Sequence, residues 1–261
     1  MYNKNSKWMK SLAVAAAFTA AGILGQANAA SVPFLYTGDN GPGYWGQLNP
    51  AWSACAASST QQSPINIDDA KQDDSLEKLE LHTYPTTIHL INTGHNVEQE
   101  YEHTGTSVYF EGLDYELLQF HFHTFSEHTI DDKHAAMEMH SVFQEPASGK
   151  LLVIGTLYKI SDNKSSAFLQ TLIDAGLPAK DGDTTVTNTA IDLKDGLTKT
   201  DAYYTYAGSL TTPPCSEIVT WVVQKKKAKM SASQFQAFRD IMGNNFRPLQ
   251  KTNGRVIRVT K

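Results

Sequence analysis

Two stretches of strictly alternating side chains constrain this fold more than any other feature. In QFHFH, residues 119–123, a β-strand would point His121 and His123 to one face and the two phenylalanines to the other. Residues 135–143 have the same period of two and include His140. A second strand beside the first can therefore bring a third imidazole to the same face.

Three histidines supplied by two strands are typical of a catalytic metal centre. A catalytic zinc site uses three protein ligands and keeps a fourth position for water, whereas structural sites usually close the shell with four ligands. Alone, the His-x-His pattern is more typical of an ordinary half-buried strand with satisfied or exposed imidazoles. The third histidine and the polar residues around it favour the metal centre.

The first 29 residues have the features of a secretory signal peptide. Lys4, Lys7 and Lys10 form a basic start, residues 12–24 are apolar, and ANA at 27–29 is a small-x-small cleavage site. A membrane-anchoring helix is the alternative, but the apolar run is shorter than the roughly 20 residues that span a bilayer. We therefore expect a signal peptide at 1–29, a catalytic domain at 30–261, and an exported protein, periplasmic or secreted, with no membrane insertion in its mature form.

Charge argues against nucleic acid as a partner. Loss of the leader moves the formal net charge from −5 to −8, because that segment carries three lysines and no acidic residue. The one basic run, at residues 225–227, follows an apolar strand and is typical of a solvated strand end.

The only two cysteines, Cys55 and Cys215, both lie in the predicted mature chain. Because exported proteins meet oxidising conditions, we expect a disulfide between them. Two unpaired buried thiols are the competing interpretation.

The remaining pattern is compatible with one large β-rich domain, since no Pro/Gly/Ser-rich linker divides the chain. Aromatic and β-branched residues mark the expected strands, at 87–92, 107–110, 117–125, 135–143, 151–160 and 218–224. Apolar residues at helical spacing predict two short helices, at 165–175 and 231–242.

Six short motifs, in order along nearly the whole mature chain, resemble the α-class carbonic anhydrases of the exported bacterial type. They are QSPINI at 62–67, NTGH at 92–95, QFHFH at 119–123, SEH at 126–128, EMH at 138–140 and GSLTTPP at 208–214. The resemblance implies a mainly β (α+β) single domain around a large, mostly antiparallel twisted central sheet with short peripheral helices. It also implies cis peptide bonds at Ser63-Pro64 and Pro213-Pro214.

The resemblance implies a zinc enzyme that hydrates carbon dioxide reversibly to bicarbonate and a proton, by attack of a zinc-bound hydroxide. The implied zinc ligands are His121, His123 and His140. Three groups are expected to orient these rings, namely Gln119 for His121, Glu138 for His140, and the backbone carbonyl of Asn245 for His123.

Further roles follow from the same resemblance. Thr211 and Glu127 would orient the hydroxide, Thr212 would help to seat bicarbonate, and His95 would shuttle the proton. The apolar wall for carbon dioxide would be Val142, Val153, Leu210, Val219 and Trp221, and the residues supporting the proton relay would be Tyr36, Asn92 and Glu98. His128 is expected to support structure.

Some positions depart from the best-known animal pattern. Thr124 and Phe125 replace Trp-Gly after the second ligand, and Thr93 and Glu98 stand where an amide is more usual. These departures leave the expected proton-transfer rate open.

Two other functions remain as alternatives. A binding module without catalysis would typically lack one of the metal histidines, and a dedicated zinc esterase would need an acyl pocket, of which the sequence gives no sign. Related exported proteins often dimerise, so a homodimer is a further expectation.

Overall fold

The alternating pattern folds into a large mixed sheet that holds the two histidine-bearing segments on neighbouring strands. A computed structural model describes residues 33–56, 58–101 and 105–261. The predicted leader at 1–29 lies outside the described residues.

The strands are, in chain order, Asn66–Ile67 (β1), Lys71–Gln72 (β2), Glu80–His82 (β3), Thr86–Asn92 (β4), Val97–Glu100 (β5), Ser107–Phe110 (β6), Leu113–His123 (β7), Thr129–Ile130 (β8), Lys133–His134 (β9), Met137–Gln144 (β10), Leu151–Ile160 (β11), Thr184–Ile191 (β12), Tyr203–Gly208 (β13), Val219–Gln224 (β14), Ala228–Met230 (β15) and Arg258–Val259 (β16). The α-helices are Trp45–Leu48 (α1), Ala167–Ala175 (α2) and Ala232–Met242 (α3), and short 3₁₀ helices occupy Gly38–Asn40, Pro50–Cys55 and Leu193–Asp195.

The main sheet follows the order β12-β4-β5-β7-β10-β11-β14-β13-β16-β2, and β6 also pairs with β7. Its centre is antiparallel from β4 to β11, whereas β11 runs parallel to β14 and to β15. A smaller sheet joins β1, β8 and β9. The expectation of a large, mostly antiparallel sheet with short helices is confirmed.

The strand expected at 117–125 is longer at one end and shorter at the other. It begins at Leu113 because the alternation of buried and exposed side chains already starts there, and it ends at His123. At Thr124 the backbone N–H donates to the side-chain Oδ1 of Asn245, at 2.8 Å, instead of to a neighbouring strand. The strand expected at 135–143 begins two residues later, at Met137.

The two faces of β7 and β10 pack into different environments. Phe120 and Phe122 are fully buried in the larger of the hydrophobic clusters, together with Met137 and Met139. The opposite face carries the histidines and borders a second cluster around Trp221. One face of these strands therefore carries the three imidazoles, while the other face is buried in the larger hydrophobic cluster.

Both longer helices begin at a serine cap. The Ser166 hydroxyl accepts from the backbone N–H of Leu169 at the start of α2, and Ser231 forms a capping box with Gln234 at the start of α3. Phe238 of α3 packs on Phe122, with ring centroids 4.7 Å apart. The two helices expected at 165–175 and 231–242 are thus confirmed, and they cover the apolar face of the sheet.

Within the part of the chain that the structure describes, three peptide bonds are cis: Ser63-Pro64, Pro213-Pro214 and Thr124-Phe125. The first two were expected, and the third was not.

Among the described residues, no helix combines the length and the apolar character needed to cross a bilayer.

Candidate metal centre

Register between β7 and β10 brings the three predicted ligands together. His140 stands directly opposite His121, and Glu138 stands opposite His123. The ring centroids are 5.0 Å apart for His121 and His123, 5.2 Å for His121 and His140, and 4.5 Å for His123 and His140. One nitrogen from each ring lies within 4.8 Å of the others, which is close enough for all three to hold one ion.

Each of these rings is fixed by a hydrogen bond on its other nitrogen. Gln119 Oε1 lies 2.8 Å from His121 Nδ1. The backbone carbonyl oxygen of Asn245 lies 2.7 Å from His123 Nδ1. Such partners set the tautomer and the orientation of a ligand ring.

The third ring is held by Glu138, whose Oε1 lies 3.0 Å from His140 Nε2. His121 and His123 thus keep their Nε2 atoms for a metal, whereas His140 keeps Nδ1. The three groups that the resemblance implied as partners thus lie at hydrogen-bonding distance from these rings.

The donor set fits a zinc ion. His123 Nε2 is buried and has no hydrogen-bond partner among the described residues. Burial lowers the pKa of His121 and of His123, and the neighbouring His140 lowers both further. Both shifts favour the neutral form of these two rings, which has a lone pair available, and three histidine nitrogens are a ligand set of catalytic zinc.

His128 lies beside this centre and supports it. Its Nδ1 is 2.8 Å from Glu138 Oε1, and its backbone N–H donates to Glu138 Oε2 at 2.9 Å. Its Nε2 is 2.6 Å from the hydroxyl of Tyr206. Both ring nitrogens are thus engaged with protein groups, which agrees with the structural role expected for His128.

Glu127 is a fully buried carboxylate that faces the histidines. Its Oε1 accepts from the backbone N–H of Arg247 at 2.8 Å, whereas its Oε2 lies 3.7 Å from His123 Nε2 and 4.0 Å from His140 Nδ1. Glu127 Oε2 has no hydrogen-bond partner among the described residues. The hydrogen bond that the resemblance implied from Thr211 is therefore not formed in the structure.

Thr211 is buried at the start of the loop after β13, and Thr212 is partly exposed beside it. The loop is closed by backbone hydrogen bonds from Leu210 N–H to Ser216 O and from Cys215 N–H to Thr212 O. Cys215 is disulfide-bonded to Cys55, as expected. The loop that carries both threonines is thus tied covalently to the N-terminal part of the domain.

The predicted apolar wall forms one cluster beside the metal ligands. Val153 stands between Val142 on β10 and Trp221 on β14 in the strand register. Val219 belongs to the same cluster and Leu210 packs against it. The indole of Trp221 lies edge-on to His140, with ring centroids 4.8 Å apart. The wall is therefore next to the ion that the histidines could hold.

His95 lies on the loop between β4 and β5 and is half-buried. Its ring stacks on Phe34, with centroids 3.8 Å apart and planes inclined by 17°, and its carbonyl oxygen accepts from Asn245 Nδ2 at 2.9 Å. Burial lowers the pKa of His95, and Asp181 partly opposes this shift.

The three residues expected to support the relay have different surroundings. Tyr36 lies edge-on to His95 and its hydroxyl is buried without a described partner. Asn92 uses its amide on backbone groups, since Nδ2 donates to Pro178 O and Oδ1 accepts from Gly94 N–H. Glu98 stands opposite His121 in the register of β5 and β7, and burial, together with the charge of Glu100, raises its pKa to about 7.

Arg247 is an organising residue that the sequence reasoning missed. Its guanidinium is buried and donates to Gln62 Oε1 and to the carbonyl oxygen of Ser63, both at 2.8 Å. Its backbone N–H holds Glu127. The QSPINI motif is recognisable in the sequence, but nothing in the sequence indicates that its glutamine accepts a hydrogen bond from an arginine 185 residues later.

Comparisons with known proteins agree with the geometry. The family model described as eukaryotic-type carbonic anhydrase matches residues 40–261. A carbonic anhydrase of Nostoc sp. is 35% identical over 239 residues, covering 90% of this chain and 89% of the relative. A carbonic anhydrase of Klebsiella pneumoniae is 36% identical over 224 residues, covering 85% and 89%.

Solved structures give the same result. The α-carbonic anhydrase of Photobacterium profundum matches with a TM-score of 0.79 and 34% identity, over 87% of this chain and 100% of its own. That of Thermovibrio ammonificans, in complex with the inhibitor sulfanilamide, matches with a TM-score of 0.81 and 34% identity, over 87% and 98%. The chain is therefore an enzyme of the eukaryotic-type, or α-class, carbonic anhydrase family.

Proposed function

We propose that this chain uses zinc to catalyse the reversible hydration of carbon dioxide to bicarbonate and a proton. The observation that carries the proposal is the trio of imidazole nitrogens within 4.8 Å of one another, one of which is buried and has no hydrogen-bond partner in the described part of the chain. His121, His123 and His140 would hold the ion. When bound, zinc supplies a Lewis acid that lowers the pKa of a water in its open position, which is its established behaviour in carbonic anhydrases.

The apolar wall suits the substrate. Carbon dioxide is uncharged and accepts hydrogen bonds only weakly, so an apolar surface can hold it without leaving a polar group unpaired. Val142, Val153, Val219 and Trp221 are each less than 10% exposed, and Leu210 completes the surface. Their position beside His140 supports a carbon dioxide site next to the proposed zinc.

Glu127 and Thr211 would orient the attacking group. A carboxylate oxygen accepts hydrogen bonds, and no described group donates one to Glu127 Oε2. A Thr211 hydroxyl that donates its one hydrogen to this oxygen can make further hydrogen bonds only as an acceptor. The hydroxyl group that attacks carbon dioxide would therefore donate its own hydrogen to Thr211. That arrangement aims a lone pair at carbon dioxide, while Thr212 helps to seat bicarbonate.

His95 would carry the released proton to solvent. A histidine titrates near neutral pH and can accept a proton on one nitrogen and release it from the other. The half-buried ring lies next to Tyr36, which with Asn92 and Glu98 would order the path from the centre.

Export is part of the proposal. The leader-like composition of residues 1–29 and the disulfide between Cys55 and Cys215 both support passage into an oxidising compartment. We propose a periplasmic or secreted location.

Stopped-flow measurement of carbon dioxide hydration tests the function. The zinc-loaded wild type is expected to be active, and His123→Ala is expected to fall to near the uncatalysed rate while remaining folded by circular dichroism. His82→Ala is the matched control, because His82 is an exposed strand histidine without an assigned role. Equal activity in wild type and His123→Ala would reject the proposal, and an inactive zinc-loaded wild type would favour the binding-module alternative.

A further inference from the structure

A buried series of hydrogen bonds leads away from the metal ligand His140. From Glu138 it passes to His128 Nδ1 at 2.8 Å, from His128 Nε2 to the Tyr206 hydroxyl at 2.6 Å, and from Tyr206 to Ser63 Oγ at 2.9 Å. Ser63 Oγ then accepts from the backbone N–H of Ser209 at 3.1 Å. We call these five residues (Glu138, His128, Tyr206, Ser63 and Ser209) the buried series.

The far end of the buried series is anchored on the loop that carries Thr211. Ser63 N–H donates to Ser209 Oγ at 2.9 Å, and Ser209 Oγ donates to the carbonyl oxygen of Leu210 at 2.7 Å. The indole N–H of Trp221 donates to the carbonyl oxygen of Ser209 at 3.0 Å. Hydrogen-bonded side chains thus link the backbone of Ser209, just before Thr211, to the proposed zinc ligand His140.

The buried series has one consistent direction. The Glu138 carboxylate only accepts, so His128 must donate from Nδ1. We assign the Tyr206 hydroxyl as the donor to His128 Nε2. Tyr206 in turn accepts from Ser63, whose oxygen accepts from Ser209 N–H. In this assignment every donor meets one acceptor, and the loss of one group leaves its neighbour unpaired.

Burial makes that constraint strong. Glu138, His128, Ser63 and Ser209 are fully buried, and Tyr206 is 3% exposed. A buried polar group that loses its partner pays its full desolvation cost, and low local dielectric strengthens each bond of a satisfied network. Gly208 shows how closely the parts fit, since a Cβ there would collide with Ser63 Oγ and with the Trp221 ring.

We propose that Tyr206 and Ser63 are positioning residues for the metal centre, which hold His128 and through it fix the Glu138 carboxylate that orients His140. The inference rests on the proposed zinc site. Neither residue is among the proposed zinc ligands or the proposed carbon dioxide wall, so their contribution would be to the retention and geometry of zinc.

Tyr206→Phe tests the inference, because it removes only the hydroxyl that joins His128 to Ser63. Tyr203→Phe is the matched control. Tyr203 lies on the same strand, is 1% exposed, and donates its hydroxyl to the Glu77 carbonyl oxygen at 2.7 Å, outside the buried series. Tyr206→Phe loses two buried hydrogen bonds and Tyr203→Phe loses one partly buried bond, so both variants should lose thermal stability, and Tyr206→Phe should lose more.

Zinc dissociation into a chelator, followed by an absorbing indicator, should be about tenfold faster for Tyr206→Phe, at the lower end of the effect usual for groups that support metal ligands. Tyr203→Phe should release zinc at the wild-type rate. The visible spectrum of the Co²⁺-loaded protein should change in Tyr206→Phe alone, because it reports ligand geometry. Equal release rates for wild type and Tyr206→Phe, or equal acceleration in both variants, would overturn the inference.

A second variant shows whether the residues act as a series. Ser63→Ala should accelerate zinc release in the same direction, and the double variant should be no faster than the worse single variant, because the series is already broken. Multiplicative effects would mean that the two residues act independently. A wild type that binds no zinc would instead count against the proposed function, so the two failures are distinguishable.

Discussion

Gly155 leaves the space that the carboxylate of Glu138 occupies. Gly155 stands opposite His140 in the register of β10 and β11, and a Cβ at this glycine would lie 2.7 Å from Glu138 Oε1. Glycine weakens a strand interior, and it is found there where another group approaches closely. The lack of a side chain at position 155 therefore makes room for the carboxylate that orients His140.

Gly155→Ala is expected to push Glu138 away from His140. Overpacking of this kind typically costs about 1–3 kcal/mol of unfolding free energy. Chemical denaturation and a zinc-affinity titration should show both a loss of stability and weaker binding. Gly43→Ala is the control, since a Cβ there meets nothing within 4 Å, and it should leave both quantities almost unchanged.

Glu138→Gln should weaken zinc binding by about 10–100-fold. Glu138 accepts from His128 N–H, His128 Nδ1 and His140 Nε2, and an amide that replaces one oxygen by NH₂ leaves at least one of these donors facing another donor. Competition with a chelator of known affinity measures the effect. Glu116→Gln, on an exposed position of β7, should bind zinc like the wild type, and an unchanged affinity in Glu138→Gln would show that the carboxylate does not support the metal.

Phe34 should control the pKa of His95. Burial disfavours the imidazolium and so lowers the pKa of His95, and the stacked Phe34 ring contributes to that burial. Phe34→Ala should expose the imidazole and raise its pKa toward the ordinary value of about 6.5. Titration of the His95 ring protons by NMR measures this, and a pKa that stays the same or falls would contradict the explanation.

Removal of the disulfide should destabilise the domain. Cys55 and Cys215 are 160 residues apart, and loss of a native disulfide typically costs about 2–5 kcal/mol. The double variant Cys55→Ser/Cys215→Ser should unfold at a lower denaturant concentration than the oxidised wild type. A reducing agent should destabilise the wild type and leave the double variant unaffected; equal stability of wild type and double variant would rule out a stabilising role.

The sequence predicted the parts of the centre that depend on strand alternation. The period of two placed His121 and His123 on one face. The resemblance implied Gln119 and Glu138 as partners of the rings, and their position two residues before His121 and His140 agrees with the same alternation. Apolar periodicity likewise predicted α2 and α3 to within two residues. These features are local, so short segments of sequence suffice to predict them.

Long-range polar contacts could not be predicted from spacing. Asn245 meets His123 across 122 residues, and that contact was expected only from the resemblance. Tyr206, Ser63 and Arg247 contact the centre indirectly, from segments whose own patterns indicate ordinary strand or loop residues. Their partners are decided by the packing of the whole sheet, which no local pattern encodes.

X-ray absorption at the zinc edge tests the central claim most directly, because it counts and identifies the atoms bound to the metal. For the zinc-loaded protein we expect one zinc per chain with three imidazole nitrogens and one water-derived oxygen at about 2.0–2.1 Å. His121→Ala should lose one of the three imidazole contributions or fail to bind. A shell closed by four protein ligands, or a zinc environment unchanged in His121→Ala, would contradict the account.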